Sequence, residues 1–172
     1  DDDLIYGGSG DDTITSVETD SRSNDTIYGE AGDDSINVTG GDANLLDGGA
    51  DNDTIISGTG SDTLVGGTGN DSLTGGDGDD VFVFDVGDGA DTITDFNAGN
   101  TGALGDGDTT NNDFIDLSQF YTSLSELRAD FDDDGVLNQS SGDYSDNTAM
   151  AGGDSVTFQN TEREDFRSDN TG

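Results

Sequence analysis

The sequence predicts an all-β fold made of short repeated strands, followed by a capping region of different texture. Three observations predict it. A nine-residue period runs through the first half of the chain. Within each period an Asp or Asn stands two places before a large apolar residue, with Thr or Ser mostly between them. That is the in–out alternation of a short strand. The 172 residues also hold 28 Gly and no Pro, so the turns are glycine turns.

The clearest copies are GGSGDDTIT (7–15), GGTGNDSLT (66–74) and GGDGDDVFV (75–83). Looser ones are GEAGDDSIN (29–37), GGADNDTII (48–56) and SGTGSDTLV (57–65). Degenerate ones are DSRSNDTIY (20–28), TGGDANLLD (39–47) and VGDGADTIT (86–94), with a partial copy from Asp3. Two interruptions stand out, four residues at Ser16–Thr19 and two at Phe84–Asp85. The sixth place of the period is Asp3, Asp12, Asp25, Asp34, Asn44, Asp53, Asp62, Asp71, Asp80 and Asp91. The eighth is Ile5, Ile14, Ile27, Ile36, Leu46, Ile55, Leu64, Leu73, Phe82 and Ile93. The eighth residue is expected to face inward and its neighbours outward. Each nonapeptide then reads as a carbonyl-rich loop ending in a carboxylate, followed by a three-residue strand.

Composition narrows the function. The chain carries 40 acidic and 4 basic residues, a net charge of -36. Such a field repels phosphate backbones and anionic membrane surfaces, which argues against nucleic-acid or lipid-surface partners. No apolar run approaches the ~20 residues of a membrane-spanning helix. With no Cys and no His, zinc, haem, thiol and histidine-triad chemistries are absent from these residues. Only 28% of the residues are hydrophobic, a thin supply for a core. Low hydrophobicity with high like charge marks a chain that stays disordered until something positive neutralises it. An Asp-rich run alone reads most simply as a solvated acidic face. The strict phasing of Asp with Gly and an aliphatic residue argues for a ligand instead. The aliphatic row is core.

The nonapeptides resemble the RTX (repeat-in-toxin, hemolysin-type) family, whose G-G-x-G-x-D-x-U-x repeat binds calcium. The resemblance covers residues 3–94 and implies a right-handed parallel β-roll over 1–94. In such rolls two nonapeptides make one turn, so residues 18 apart stack. A Ca²⁺ lies between stacked loops. The lower loop gives its second and fourth carbonyls and its Asp; the upper loop gives its first and third carbonyls and its Asp. Carried onto this chain, one site takes Gly58, Gly60 and Asp62 with Gly75, Asp77 and Asp80. A second takes Gly49, Asp51 and Asp53 with Gly66, Thr68 and Asp71. A third takes Gly67, Gly69 and Asp71 with Val86, Asp88 and Asp91, with a register the insertion at Phe84 can shift. The pairing of Asp34 with Asp53 brings in Glu30 and Gly32 below and Gly48 and Ala50 above. The pairing of Asp12 with Asp34 brings in Gly8 and Gly10 below and Gly29 and Ala31 above. Asp3, Asp25 and Asn44 belong to the remaining stack, where uncharged Asn44 is expected to leave both sites it shares weaker or empty. Ser21 and Ser23 replace glycines and are expected to strain their loop. All-oxygen sites of this kind suit Ca²⁺, about six ions in the roll and about one or two in the cap.

Residues 95–172 read as the cap, with a core of its own, because a roll end exposes apolar core and free strand edges. NDFIDL (112–117) and DSVTF (154–158) alternate like strands. LSELRA (124–129) reads as a short helix behind Ser123, and 97–112 as a loop. Asp130, Asp132, Asp134 and Gly135 then spell D-x-D-x-D-G, the opening of an EF-hand-like calcium loop in which Val136 supplies a carbonyl and Leu137 fills the apolar place. The twelfth place is Ser141 rather than Glu, so the alternative is an acidic turn ending the helix. FIDLSQ (114–119), GVLNQ (135–139), YSDNTAM (144–150) and the terminal DNTG resemble the segment preceding a Hint self-processing domain in some marine bacterial RTX proteins. The chain begins inside a repeat and is expected to be a fragment. A type I secretion signal would then lie elsewhere.

These readings imply a non-enzymatic, calcium-dependent folding module of an extracellular, secreted or cell-surface bacterial protein. The alternatives are an adhesive surface module with a carbohydrate or cell-surface ligand, and the accessory module of a polysaccharide-active enzyme or protease. An ice-binding variant wants a Thr ladder in the loops, where only Thr59 and Thr68 stand.

Overall fold

The computed structural model describes residues 1–17, 22–96, 113–116, 136–137 and 155–158. The strands are β1 (Leu4–Ser9), β2 (Thr13–Val17), β3 (Thr26–Ala31), β4 (Ser35–Thr39), β5 (Leu45–Ala50), β6 (Thr54–Ile56), β7 (Thr63–Thr68), β8 (Ser72–Thr74), β9 (Val81–Val83), β10 (Ala90–Ile93), β11 (Phe114–Asp116), β12 (Val136–Leu137) and β13 (Ser155–Phe158). Odd strands from β1 to β11 form one sheet. The other runs β2, β4, β6, β8, β10, β13, β12. Within the repeats the chain crosses to the opposite sheet after each nonapeptide, so two nonapeptides complete a turn. Successive turns add parallel strands to both sheets. This is a parallel β-roll, as expected from the repeat.

The register follows the period. Leu46 lies beside Leu64, Leu64 beside Phe82 and Ile55 beside Leu73, each 18 residues on. The four-residue interruption widens the step to 22 between Ile5 and Ile27 and between Ile14 and Ile36. The two-residue one widens it to 20 between Leu73 and Ile93. A third interruption is also present. Ile27 pairs with Leu46 and Ile36 with Ile55, 19 residues apart, so Val38 is a one-residue insertion.

The inserted residues extend the core. Val38 and Phe84 are buried, and Ser16 nearly so. Each follows the eighth-place residue by two positions and so points the same way, inward. Val38 and Phe84 join the file of eighth-place side chains from Ile27 to Ile93, which fills the narrow space between the sheets.

One expectation is corrected. In the odd-strand sheet, β1, β3, β5 and β7 are six residues long and not three. Identical loops stack in register, so the ladder continues through their second and third places, as Gly49 to Gly67 and Ala50 to Thr68. The described residues of the cap pack on the roll. Ile115 packs against the roll's core, Val156 is buried in it, and Phe96 tilts against Phe82 at 6.4 Å. β11 pairs with β9 and β13 with β10, both parallel, and β12 closes antiparallel on β13. The cheapest cover for an exposed roll end is another rung, which satisfies both free edges and free core. The expected strands at 112–117 and 154–158 are therefore β11 and β13. The expected loop at 97–112, the helix at 124–129 and the acidic loop at Asp130, Asp132 and Asp134 lie outside the described residues. Of that loop only the backbone of Val136 and Leu137 is described, in β12. The Hint-like stretches fall mostly outside as well.

Candidate metal centre

Two kinds of glycine build each turn. Those at the second and fourth places take positive φ, such as Gly67 at 95° and Gly69 at 150°. Most of them also lie directly on the turn before: a Cβ on Gly69 would meet the Asp51 carbonyl at 1.9 Å. First-place glycines serve for room instead. A Cβ on Gly29 would lie 2.4 Å from Asp34 Oδ2 and 2.4 Å from the Gly48 carbonyl of the next turn. At Gly48 the same space is bounded by Asp53 Oδ2 at 2.3 Å and the Gly66 carbonyl at 2.7 Å. At Gly7 it is bounded by Asp12 Oδ2 and the Gly29 carbonyl, at 2.9 and 2.8 Å. In all three cases a carboxylate of one turn and a first-place carbonyl of the next face one glycine-sized space.

Stacking the turns creates two columns of side chains. One is Asp12, Asp34, Asp53, Asp71 and Asp91. The other is Asp3, Asp25, Asn44, Asp62, Asp80 and Asp113. In each column Oδ1 accepts the backbone N–H of the residue one turn earlier: Asp34 N–H to Asp53 at 2.7 Å, Asp71 N–H to Asp91 at 2.9 Å, Asp62 N–H to Asp80 at 2.9 Å. Asn44 fits the column through its amide oxygen, which accepts the Asp25 N–H, while its NH₂ donates to Asp62. The second oxygen is left over. Oδ2 of Asp12, Asp34, Asp53, Asp62, Asp71 and Asp80 is buried without a hydrogen-bond partner.

A buried, unpartnered carboxylate oxygen is costly, and here it recurs at every turn. The electrostatics register the cost. Burial, joined by the charges of Asp71, Asp34 and Asp33, pushes Asp53 up to about 7. Burial with Asp113, Asp62 and Asp95 nearby does the same to Asp80, and burial with Asp71 and Asp88 to Asp91, each to about 7. Burial raises Asp62 and Asp71 to about 6. Oxygen-only donors, neighbouring negative charge and a space flanked by carboxylate and carbonyl together fit a hard divalent cation. Among the described residues no three carboxylates converge on one point. Each centre would therefore combine two carboxylates with backbone carbonyls.

The residues expected together are brought into register. Glu30 lies beside Gly49 and Gly8 beside Glu30, while Gly10 N–H and Gly32 N–H donate to the Ala31 and Ala50 carbonyls. Thr59 faces Asp77, and Gly60 N–H donates to the Asp77 carbonyl at 2.9 Å. These third-place carbonyls already accept one N–H and keep a second lone pair. Gly69 faces Gly89, so Asp88 and Asp91 rejoin the stack after the insertion. Val86 is largely exposed, and a Cβ added to Gly87 would point into open space.

Strain sits elsewhere than expected. Ser21 is outside the described residues. Ser23 is not in the left-handed region, and its hydroxyl donates to the Asp1 carbonyl and to Asp25. Among the described residues, the positive-φ residues other than glycine are Glu30 at 80° and Asp51 at 77°, at a second and a fourth place. Asp25 differs from its column because Ser16, placed by the four-residue insertion, donates to its Oδ2 at 2.9 Å. Asp113 is the residue that motif reading missed. Its signal was present as D-F-I-D at 113–116, the tail of a nonapeptide, but 33 residues after Asp80 instead of 18.

A model of the RTX calcium-binding nonapeptide repeat matches the chain in four copies, over residues 1–16, 19–42, 38–64 and 56–93, more than half its length. No curated protein and no solved structure matches it.

Proposed function

Since the chain belongs to the RTX calcium-binding nonapeptide repeat family, we propose that this calcium-binding module acts as a calcium-dependent folding switch of a secreted bacterial protein. The observation that carries the reading is the pair of buried carboxylate columns with unpartnered Oδ2 atoms. Without cations the columns repel, and the one-residue-wide core is too small to offset chain entropy. Calcium supplies the missing positive charge. The chain's own part is to hold two Asp and the flanking carbonyls in register, as Asp62 and Asp80 with Gly58, Gly60 and Gly75, so that binding free energy becomes folding free energy. Extracellular modules bind calcium at roughly 10⁻⁴–10⁻³ M, which would leave the chain unfolded where calcium is scarce and folded outside the cell. The roll then serves as structure and not as a catalyst. Titrating calcium into EDTA-treated protein while following circular dichroism tests this. A cooperative coil-to-β transition with several ions bound is expected, and a protein already folded in EDTA would overturn it.

One observation favours a second, adhesive role. The outward rows of the even-strand sheet, Thr13–Ser35–Thr54–Ser72–Thr92 and Thr15–Asn37–Ile56–Thr74–Thr94, carry no charge in a chain of net charge -36. An uncharged, hydroxyl-bearing face suits a neutral polysaccharide better than a charged partner. Calcium-dependent retention on insoluble glucans would support that role, and no retention would remove it.

A further inference from the structure

The Asp80 column does not stop where the repeats stop. β11 lies beside β9 with Phe114 N–H donating to the Asp80 carbonyl at 2.7 Å and Ile115 beside Phe82. That register puts Asp113 one turn beyond Asp80. Asp113 is buried, and its Oδ1 accepts the Asp80 N–H at 3.2 Å, the same bond that ties each earlier pair in the column. Asp80 itself is fully buried, with Oδ2 unpartnered over Gly75.

We propose that Asp113, a residue outside the nonapeptides, closes one more divalent-cation centre with Asp80 at the C-terminal end of the roll. This rests on the calcium reading above. The other donors within this turn are backbone carbonyls of Gly75–Asp80. Asp95 borders the same place: its two oxygens accept the N–H groups of Gly75 and Gly76, at 3.0 and 2.7 Å, and add negative charge next to Asp80. Two carboxylates plus carbonyls is the donor set of the turns below, and the added charge of Asp95 favours a cation further. The ion would seal the repeats to the first rung of the cap.

Asp113→Asn is the informative variant, because Asn44 already holds the same column position through an amide oxygen. In the full chain at saturating calcium, native mass spectrometry should count one ion fewer for Asp113→Asn than for the unaltered protein. Asp116→Asn, on the outward face of β11, should leave the count unchanged. An unaltered chain that binds calcium, with an equal count in Asp113→Asn, overturns this proposal alone. An unaltered chain that binds none overturns the calcium reading itself. Should Asp113→Asn fail to fold, anomalous diffraction from terbium-loaded crystals of the unaltered chain decides. A peak between Asp80 and Asp113 supports the site, and peaks confined to the earlier turns overturn it.

Discussion

The backbone N–H of Asp53 donates to Oδ1 of Asp71 at 2.8 Å, and this bond leaves Asp71 Oδ2 buried with no partner. The same carboxylate thus ties two turns together and presents an unsatisfied charge. Structure and cation affinity reside in one side chain, and an amide substitution separates them.

Asp71→Asn should keep the Asp53 N–H bond, as Asn44 keeps its own, but remove a charge from two neighbouring centres. The calcium midpoint for folding is expected to rise about tenfold, or ~1.4 kcal/mol. A calcium titration followed by circular dichroism reads the shift.

Asn44→Asp should act in the opposite sense. Adding a carboxylate between Asp25 and Asp62 completes the charge of that column. The variant should need less calcium to fold and should unfold more readily in EDTA. Equal midpoints with and without the substitution would show that this column holds no ion.

Protons should partly replace calcium. Asp53, Asp80 and Asp91 are pushed up to about 7, and Asp62 and Asp71 to about 6, by burial first and by neighbouring carboxylates second. A carboxyl whose folded value is raised binds its proton more tightly in the folded state. Its stabilising contribution is complete below the unfolded value of about 4 and is lost as pH rises through 6–7. In EDTA the β signal should therefore be stronger at pH 4.5 than at pH 8. In calcium, acidification through the same window should release ions, which a calcium electrode detects.

Glycine substitutions should divide by place. Gly69→Ala drives a Cβ to 1.9 Å from the Asp51 carbonyl and should cost more than about 3 kcal/mol. Gly8→Ala meets nothing within 4 Å and should cost only the backbone term of about 1–2 kcal/mol. Conversely Asp51→Gly should relieve left-handed strain at φ 77° and stabilise the roll by about 1 kcal/mol. Thermal unfolding at fixed calcium compares the three.

Much of the roll is legible in the sequence because it is a local rule repeated. Gly at the turn, Asp at the sixth place and an aliphatic residue at the eighth each answer to a neighbour one turn away. That fixes the column of Asp12, Asp34, Asp53, Asp71 and Asp91, and marks Asn44 as its uncharged counterpart in the other column. What the sequence left undetermined lies where the chain departs from the rule. Only the packed structure decided that Val38 and Phe84 are core side chains, because their inward direction depends on how far each strand continues past its eighth residue. Only it placed Ser16 on Asp25 and Asp113 above Asp80, since pairing across a long insertion depends on which free edge the returning strand can satisfy.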